Sequence, residues 1–272
     1  MTAHSVIRLQ GQGKDTEQKE RGLQSAFTIN MKVFNGLKAK CSFGTSWRYF
    51  HLDLNSGSGI NQEVGCIGSP LAFLEAARIS GCGKYFAGFC DTNQAALEEL
   101  MKRDGIRGNS DCFLFHGDNA SLIEAFPSII STFEKPKYAM GMVLSDPNGA
   151  DIPLSGLEWL SREAPKIDLC LNWNSTQFKR NRGAFGDHRP TMEEAIARMN
   201  KKHWLIRQPM GRWQWTLLIG RNMRIGEHPS LGFYHLDSPK GQEVFRRCNF
   251  VKGIDPNQHD PRPQSGLWGA AA

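Results

Sequence analysis

With 40% hydrophobic and 22% charged residues, a chain of 272 residues has enough apolar side chains for the core of one large α/β domain. It has no run of about 18 apolar residues, so we expect no membrane span, and we expect no signal peptide at its start. The net charge of +6 indicates an anionic partner only where the positive side chains cluster. The cysteines are scattered without a Cys-x-x-Cys pair, which favours reduced thiols in a cytoplasmic protein.

The N-terminal stretch, residues 1–46, mixes Gly, Gln, Lys and Thr around one apolar patch, Phe27 to Phe34. We expect a poorly ordered arm followed by a strand or a helix that leads into the domain. A first strand at about 48–54 then ends in Asp53 and a turn of small residues, Asn55 to Gly59. Such a turn lets backbone N–H groups approach a ligand closely.

A second small-residue stretch precedes the first helix inside the domain. Ser69 is expected to cap this helix and Pro70 to occupy its first position, with the helix ending near Ser80. Short apolar runs then alternate with helical patterns, and they cover residues 85–90, 112–115, 139–144 and 167–171. Strands that alternate with helices predict a parallel sheet whose ligands bind at the carboxyl ends of the strands.

An acidic residue follows each of the first four predicted strands: Asp53, Asp91, Asp118 and Asp146. Each of these carboxylates alone is explained equally well as a helix cap. Four in order behind a Gly-x-Gly turn favour a shared ligand site at one edge of the sheet.

The rhythm changes after the fifth strand. Residues 175–202 form a polar, basic segment, and two runs, His203 to Arg207 and Trp213 to Gly220, then predict an antiparallel hairpin. A short helix capped by Ser238 comes next, and residues 251–272 are expected to be a loose tail. We therefore predict a single domain over residues 47–250.

The turn Asp53-Leu-Asn-Ser-Gly-Ser-Gly59 is similar to the first motif of the class I S-adenosylmethionine-dependent methyltransferases. The resemblance covers roughly residues 48–222. It implies an α/β fold with a Rossmann-like sheet of seven strands, mostly parallel with an antiparallel last strand and helices on both faces. It also implies that S-adenosylmethionine is the cofactor. The residues implied to bind it are Asp53, Asn55, Ser56, Gly57 and Gly59 near the methionine part, Asp91 at the ribose, and Asp118 with Asn119 at the adenine.

The segment Ser145-Asp-Pro-Asn-Gly149 resembles the Asp-Pro-Pro-Tyr motif of methyltransferases that act on adenine N6 or cytosine N4. The resemblance implies that Asp146, Pro147, Asn148 and Gly149 position the target amine, although Asn148 replaces the second Pro and Gly149 the aromatic residue. The form Asp-Pro-x-Gly, together with Gly68-Ser-Pro70, also resembles the three-Cys-motif partner proteins, which are methyltransferase-like.

The basic segment suggests the methyl acceptor. Lys179, Arg180, Arg182 and Arg189 lie in the loop after the fifth strand, where substrate must sit, and positive charge there suits a phosphate backbone. We therefore expect a methyltransferase acting on a base amino group of nucleic acid, adenine N6 in DNA before RNA. The alternative is a methyltransferase-like partner protein that binds the cofactor and methylates a small molecule, a protein or nothing.

Other interpretations stay open at this point. A nicotinamide-dependent dehydrogenase also has a glycine-rich turn and a later acid, but the turn here lacks Gly-x-Gly-x-x-Gly. Trp204, Trp213 and Trp215 suit either base stacking or core packing, and core packing is favoured. His51 is expected in the core, and the histidine spacing predicts no metal site.

Overall fold

The computed structural model describes residues 16–40, 47–61, 65–147, 151–175, 190–209 and 215–248. The helices of these ranges are α1 (Thr16–Lys40), α2 (Ser69–Ser80), α3 (Gln94–Met101), α4 (Asn119–Ser131), α5 (Leu154–Glu163), α6 (Met192–Arg198) and α7 (Pro239–Cys248). The strands are β1 (Tyr49–Asp53), β2 (Ile60–Asn61), β3 (Cys66–Ile67), β4 (Tyr85–Asp91), β5 (Cys112–His116), β6 (Met140–Ser145), β7 (Ile167–Trp173), β8 (His203–Arg207), β9 (Thr216–Arg221) and β10 (Phe233–His235).

The main sheet has eight strands in the order β10-β8-β9-β7-β6-β1-β4-β5. The strands from β5 to β7 in this order are parallel, whereas β9 runs antiparallel to both β7 and β8. The predicted Rossmann-like α/β fold with an antiparallel last strand is thus confirmed. The predicted count of seven strands is wrong by one, because the short strand β10 pairs with β8.

Both faces of the sheet are buried, as a parallel sheet between helices requires. Along β1, Phe50 and Leu52 belong to one apolar cluster, and Tyr49 belongs to the cluster on the opposite face. His51 is fully buried and stacks on Phe73 at a centroid distance of 4.1 Å. Burial lowers the pKa of His51 to about 3, so the ring is neutral and its Nδ1–H donates to the carbonyl of Met142. The prediction of a core histidine is confirmed.

The predicted lead-in is a helix, α1, of 25 residues. Its buried face includes Leu23, Phe27, Met31 and Phe34, which recur every three or four residues as an amphipathic helix requires. This face packs on α2 and on the sheet, and Phe27 contacts the ring of Phe73. The helical pattern thus begins well before the apolar patch that marked it in the sequence.

A buried polar network holds the middle of α1 against the amino end of the sheet. The Asn30 side-chain amide donates to the Asp168 carboxylate on β7 (2.5 Å), and Tyr49 Oη donates to Asn30 Oδ1 (2.8 Å). Arg221 forms an ion pair with the same carboxylate at 2.6 Å. Because about 1.5 Å of helix separates successive residues, the first turn of α1 lies roughly 16 Å from Asn30, at the opposite end of the sheet.

Two predicted helix caps have different outcomes. Ser238 caps α7, since its hydroxyl accepts a hydrogen bond from the Gly241 N–H at 3.2 Å. Ser69 is not a cap, because Gly68 occupies the N-cap position of α2 and Ser69 is already helical. The hydroxyl of Ser69 instead hydrogen-bonds Asp53.

The tryptophans of the predicted hairpin pack inside the protein where they are described. Trp204 and Trp215 are buried, so the favoured assignment of these two residues to the core is confirmed. Trp213 and the predicted tail, residues 251–272, lie outside the described residues. None of the helices in the described ranges is both long enough and apolar enough to cross a membrane.

Candidate functional site

The turn after β1 is built around two glycines with left-handed backbone. Gly57 has φ 59° and Gly59 has φ 76°, values that residues other than glycine rarely adopt. A Cβ on Gly59 would lie 2.7 Å from Leu100 of α3, whereas a Cβ on Gly57 would meet no atom within 4 Å. Gly59 therefore allows close packing, and Gly57 leaves backbone open to the space above the turn.

Hydrogen bonds tie this turn to the end of the neighbouring strand. Ser56 N–H donates to the Cys90 carbonyl at 2.9 Å, and Gly57 N–H donates to Asp91 Oδ2 at 2.9 Å. Asp91 Oδ1 accepts from the Asn93 N–H at 2.8 Å. One carboxylate at the end of β4 therefore fixes both the glycine turn and the start of α3.

A cavity of about 580 Å³ lies at the carboxyl ends of β4, β1 and β6, a volume typical of small-molecule sites. One end contains Asp91 and Asn119, the middle contains the glycine turn, and the other end contains Asp146. The first turn of α1 contributes Thr16, Lys19 and Glu20 to the wall of this cavity.

Asp118 is engaged in local structure. Its carboxylate caps α4, accepting from the Ser121 N–H at 2.9 Å and from the Ser121 hydroxyl at 2.7 Å. These hydrogen bonds lower the pKa of Asp118. Asp118 therefore serves as a helix cap, whereas its neighbour Asn119 lines the cavity.

Asp53 is fully buried beneath the turn. Its Oδ1 accepts from the Asn55 N–H at 3.0 Å, and its Oδ2 has no hydrogen-bond partner among the described residues. Burial raises the pKa of Asp53 to about 7, although the hydrogen bonds from Ser69 and Asn55 oppose the shift. Asp53 supports the turn from below and is a buried carboxyl that lacks full compensation.

The carboxylate of Asp146 is held from two sides. The Asn172 side-chain amide, at the end of β7, donates to Asp146 Oδ1 at 2.6 Å. Lys19 Nζ, on α1, donates to Asp146 Oδ2 at 2.7 Å. The Asp146 N–H donates to Asn55 Oδ1 at 3.1 Å, which links the fourth acid to the glycine turn. An oriented carboxylate thus holds a primary ammonium at one end of the cavity.

Lys19, Glu20 and Asn172 received no functional role from the sequence. Burial works against the charged ammonium of Lys19, but the carboxylates of Asp146, Glu20 and Asp53 outweigh burial and raise its pKa. Burial likewise raises the pKa of Glu20 to about 8, opposed by Lys19. Only Asn172 had a signal in the sequence, since it follows the fifth apolar run as the acids follow the others.

The other predicted site residues divide into two groups. Pro147 follows Asp146 and is buried, and Ser56 is buried with its hydroxyl on the Cys90 carbonyl. The remainder lie outside the described residues: Asn148, Gly149, Lys179, Arg180, Arg182 and Arg189. The predicted binding of phosphates by these Lys and Arg side chains therefore stays a prediction.

The mostly parallel sheet, its antiparallel β9 and the cavity at the glycine turn agree with what the sequence resemblance implies. The fold is an α/β fold with a Rossmann-like, mostly parallel sheet. This fold places the cavity across the carboxyl ends of the central strands, where ligands of open α/β sheets bind.

Of the comparisons with known proteins, only the one with solved structures finds matches, and it concerns architecture. No protein-family model matches the chain. No curated protein matches it either. Among solved structures, the chain is similar to a Legionella pneumophila protein of the DUF519 family model, with a TM-score of 0.54, 12% identity, and coverage of 81% of this chain and 90% of that one. At such an identity the similarity describes the fold.

Two further solved structures align with TM-scores just below one half. Human methyltransferase-like protein 13 in complex with SAH has a TM-score of 0.47 at 13% identity, and the match covers 90% of this chain and 97% of that one. A DUF574 family protein from Streptomyces avermitilis has a TM-score of 0.48 at 12% identity, with 76% of this chain and 84% of that one covered.

Proposed function

We propose that the protein is an S-adenosylmethionine-dependent methyltransferase that acts on an amino group held by Asp146. The single observation that carries this proposal is the Asp146 carboxylate. It lies at the end of β6, is oriented by Asn172, and binds an amine nitrogen at 2.7 Å inside the cavity.

The cavity suits the cofactor along its whole length. Asp91 uses one lone pair of each oxygen for the Gly57 and Asn93 N–H groups, so each oxygen retains a lone pair for a ribose hydroxyl. Asn119 is positioned beside it to read the adenine edge. The space above Gly57 admits a ligand against the backbone. The volume of about 580 Å³ is adequate for a nucleoside joined to an amino acid.

The cofactor, when bound, supplies a methyl group on a positively charged sulfur. Asp146 would accept a hydrogen bond from the acceptor N–H, which fixes the nitrogen and directs its lone pair toward that methyl group. Asn172 keeps the carboxylate in this orientation through the 2.6 Å hydrogen bond. The reaction requires little base catalysis, because the other product is a neutral thioether and the nitrogen loses its proton after transfer.

For the acceptor we propose a base amino group of nucleic acid, adenine N6 in DNA before RNA. The support is the resemblance of Ser145 to Gly149 to the amino-methyltransferase motif and the positive charge of Lys179 to Arg189. The Lys and Arg side chains of that segment would bind phosphates while the target base enters the cavity.

A second acceptor class, an alkyl amine of a protein or a small molecule, is favoured by one observation. The nitrogen that Asp146 holds in the structure is the alkyl ammonium of Lys19. In addition, Gly149 stands where the base-methylating motif has its aromatic residue. Trp173 does not replace that residue, because its side chain is buried in the core. This class corresponds to the methyltransferase-like partner protein.

Incubation with labelled S-adenosylmethionine separates the two classes. Unmethylated DNA, RNA, a lysine-containing peptide and a polyamine are offered in parallel, and the methylated products are identified by mass. We expect labelled N6-methyladenine with the DNA, and no label after Asp146→Ala. Glu75→Gln, a change at an exposed ion pair on α2, is the control and should transfer at the wild-type rate. Label in the peptide or polyamine alone would replace the nucleic-acid assignment with the second class.

A further inference from the structure

We infer that Lys19 and Glu20 of α1 form the binding site for the amino-acid part of the cofactor, with Lys19 on its carboxylate and Glu20 on its α-ammonium. The inference rests on the proposed function, since it presumes S-adenosylmethionine in the cavity. It assigns the subsite to a helix that precedes the predicted domain and lies outside the motifs that suggested the cofactor.

The position of the two side chains is the first argument. The cavity extends from Asp91 and Asn119 at the ends of β4 and β5 to Asp146 at the end of β6. If the adenosine occupies the Asp91 end, the amino-acid part extends past the glycine turn toward Asp146. Lys19 and Glu20 line the cavity at that second end.

The second argument is an unsatisfied buried acceptor. Glu20 is 7% exposed, and its Oε2 has no hydrogen-bond partner among the described residues. Its Oε1 lies 3.8 Å from Lys19 Nζ, which is too long for a hydrogen bond. A buried carboxylate without donors is costly unless a ligand supplies them, and an α-ammonium carries three N–H donors.

The third argument is charge. Among the described residues that line the cavity, the acids Glu20, Asp91, Glu99 and Asp146 outnumber the one basic residue, Lys19. A ligand with one carboxylate and two cationic centres, the α-ammonium and the sulfonium, compensates this excess of negative charge. Burial raises the pKa of Glu20 to about 8, and a cation beside Glu20 would favour its ionised form.

The arrangement links cofactor binding to the acceptor site. In the structure Lys19 Nζ donates a hydrogen bond to Asp146 Oδ2 at 2.7 Å. A lysine that turns to the carboxylate of the cofactor leaves Asp146 Oδ2 available for the acceptor amine. The cofactor would therefore bind first and the acceptor second.

Titration calorimetry with two ligands tests the inference. S-adenosylhomocysteine carries the amino-acid part, and 5′-methylthioadenosine has the same nucleoside without it. Lys19→Met and Glu20→Gln should each lower the affinity for S-adenosylhomocysteine by about tenfold to a hundredfold, the usual range for the loss of one hydrogen bond to a charged group. The affinity for 5′-methylthioadenosine should stay within about twofold. Lys32→Met, at an exposed position of the same helix, is the matched control and should change neither affinity.

The outcomes separate the inference from the function it rests on. A wild-type protein that binds neither ligand contradicts the proposed function and the inference with it. A wild-type protein that binds both, with variants that bind both as tightly, contradicts the inference alone. Variants that lose both ligands equally also overturn it, because Lys19 and Glu20 would then shape the cavity as a whole.

Discussion

Buried acids lie at or beside helix α1 at both ends of the sheet, and the two ends differ in how completely the charge of these acids is compensated. At the amino end, the Asp168 carboxylate accepts a hydrogen bond from Asn30 and forms an ion pair with Arg221. The ammonium of Lys201 donates to the carbonyl of the preceding residue, Ile167. At the carboxyl end, Glu20 and Asp53 each keep a buried oxygen without a partner among the described residues.

The difference separates stability from binding. Burial raises the pKa of Asp168, but Arg221 and Lys201 oppose it, so the carboxylate serves to anchor the helix. The acids at the carboxyl end have pKa values raised to about 7 and about 8 and lie beside or beneath a cavity. Perturbed groups in a cleft are typical of functional sites, where stability is given up for ligand contacts.

Breaking the anchor should have the largest effect on stability. Asp168→Ala leaves Arg221 buried without its carboxylate, and we expect a loss of about 3–5 kcal/mol in the free energy of unfolding. Urea unfolding followed by circular dichroism measures the loss. An unchanged midpoint would show that the amino-end network does not anchor α1.

Removing an uncompensated carboxyl group at the carboxyl end should instead increase the free energy of unfolding at neutral and higher pH. The folded-state pKa of Asp53, about 7, exceeds its ordinary value of 3.8, so its contribution to stability is complete below pH 4 and is lost as the pH rises to 7. Asp53→Asn removes this dependence. We expect the stability of the variant relative to wild type to increase by about 2–4 kcal/mol between pH 4 and pH 8. Melting curves at both pH values measure it, and a pH-independent difference would contradict the assignment.

Glu20→Gln should act in the same direction and by a similar amount, because burial raises the pKa of Glu20 to about 8 although Lys19 opposes the shift. The folded-state pKa of Glu20, about 8, exceeds 4.5, so wild type loses this contribution between pH 4.5 and 8. We expect the melting temperature of the variant to exceed that of wild type most clearly at pH 8. A lower melting temperature at pH 8 would mean that Lys19 compensates Glu20 fully.

An exposed ion pair sets the lower limit of the comparison. Arg78 and Glu75 lie 2.6 Å apart on the surface of α2, where solvent screens their attraction. Arg78→Ala should leave the melting temperature unchanged within error. A measurable loss would show that this exposed pair contributes more to stability than solvent screening allows.

The sequence predicted the parts of the fold that depend on local patterns. Short apolar runs ending in an acid located β1, β4, β5 and β6, because a buried parallel strand and its terminal turn differ sharply in composition. The short strand β10 was missed, since three residues carry too little pattern to mark a strand.

The site was predictable only along the strand ends. The partner of Lys19, Asp146, is 127 residues away, and no spacing rule reaches that far. The long helix α1 was recognised only at Phe27 to Phe34, because Lys, Gln and Glu separate its earlier apolar positions. For Asp118, the local hydrogen bonds to Ser121 competed with the predicted ligand role.

The most direct test of the account is a crystal structure with S-adenosylhomocysteine. We expect the adenosine beside Asp91 and Asn119, the amino-acid part beside Glu20, and Lys19 Nζ moved from Asp146 to the carboxylate of the ligand. Density for the ligand outside this cavity, or a Lys19 that stays on Asp146 with the ligand bound, would contradict the account.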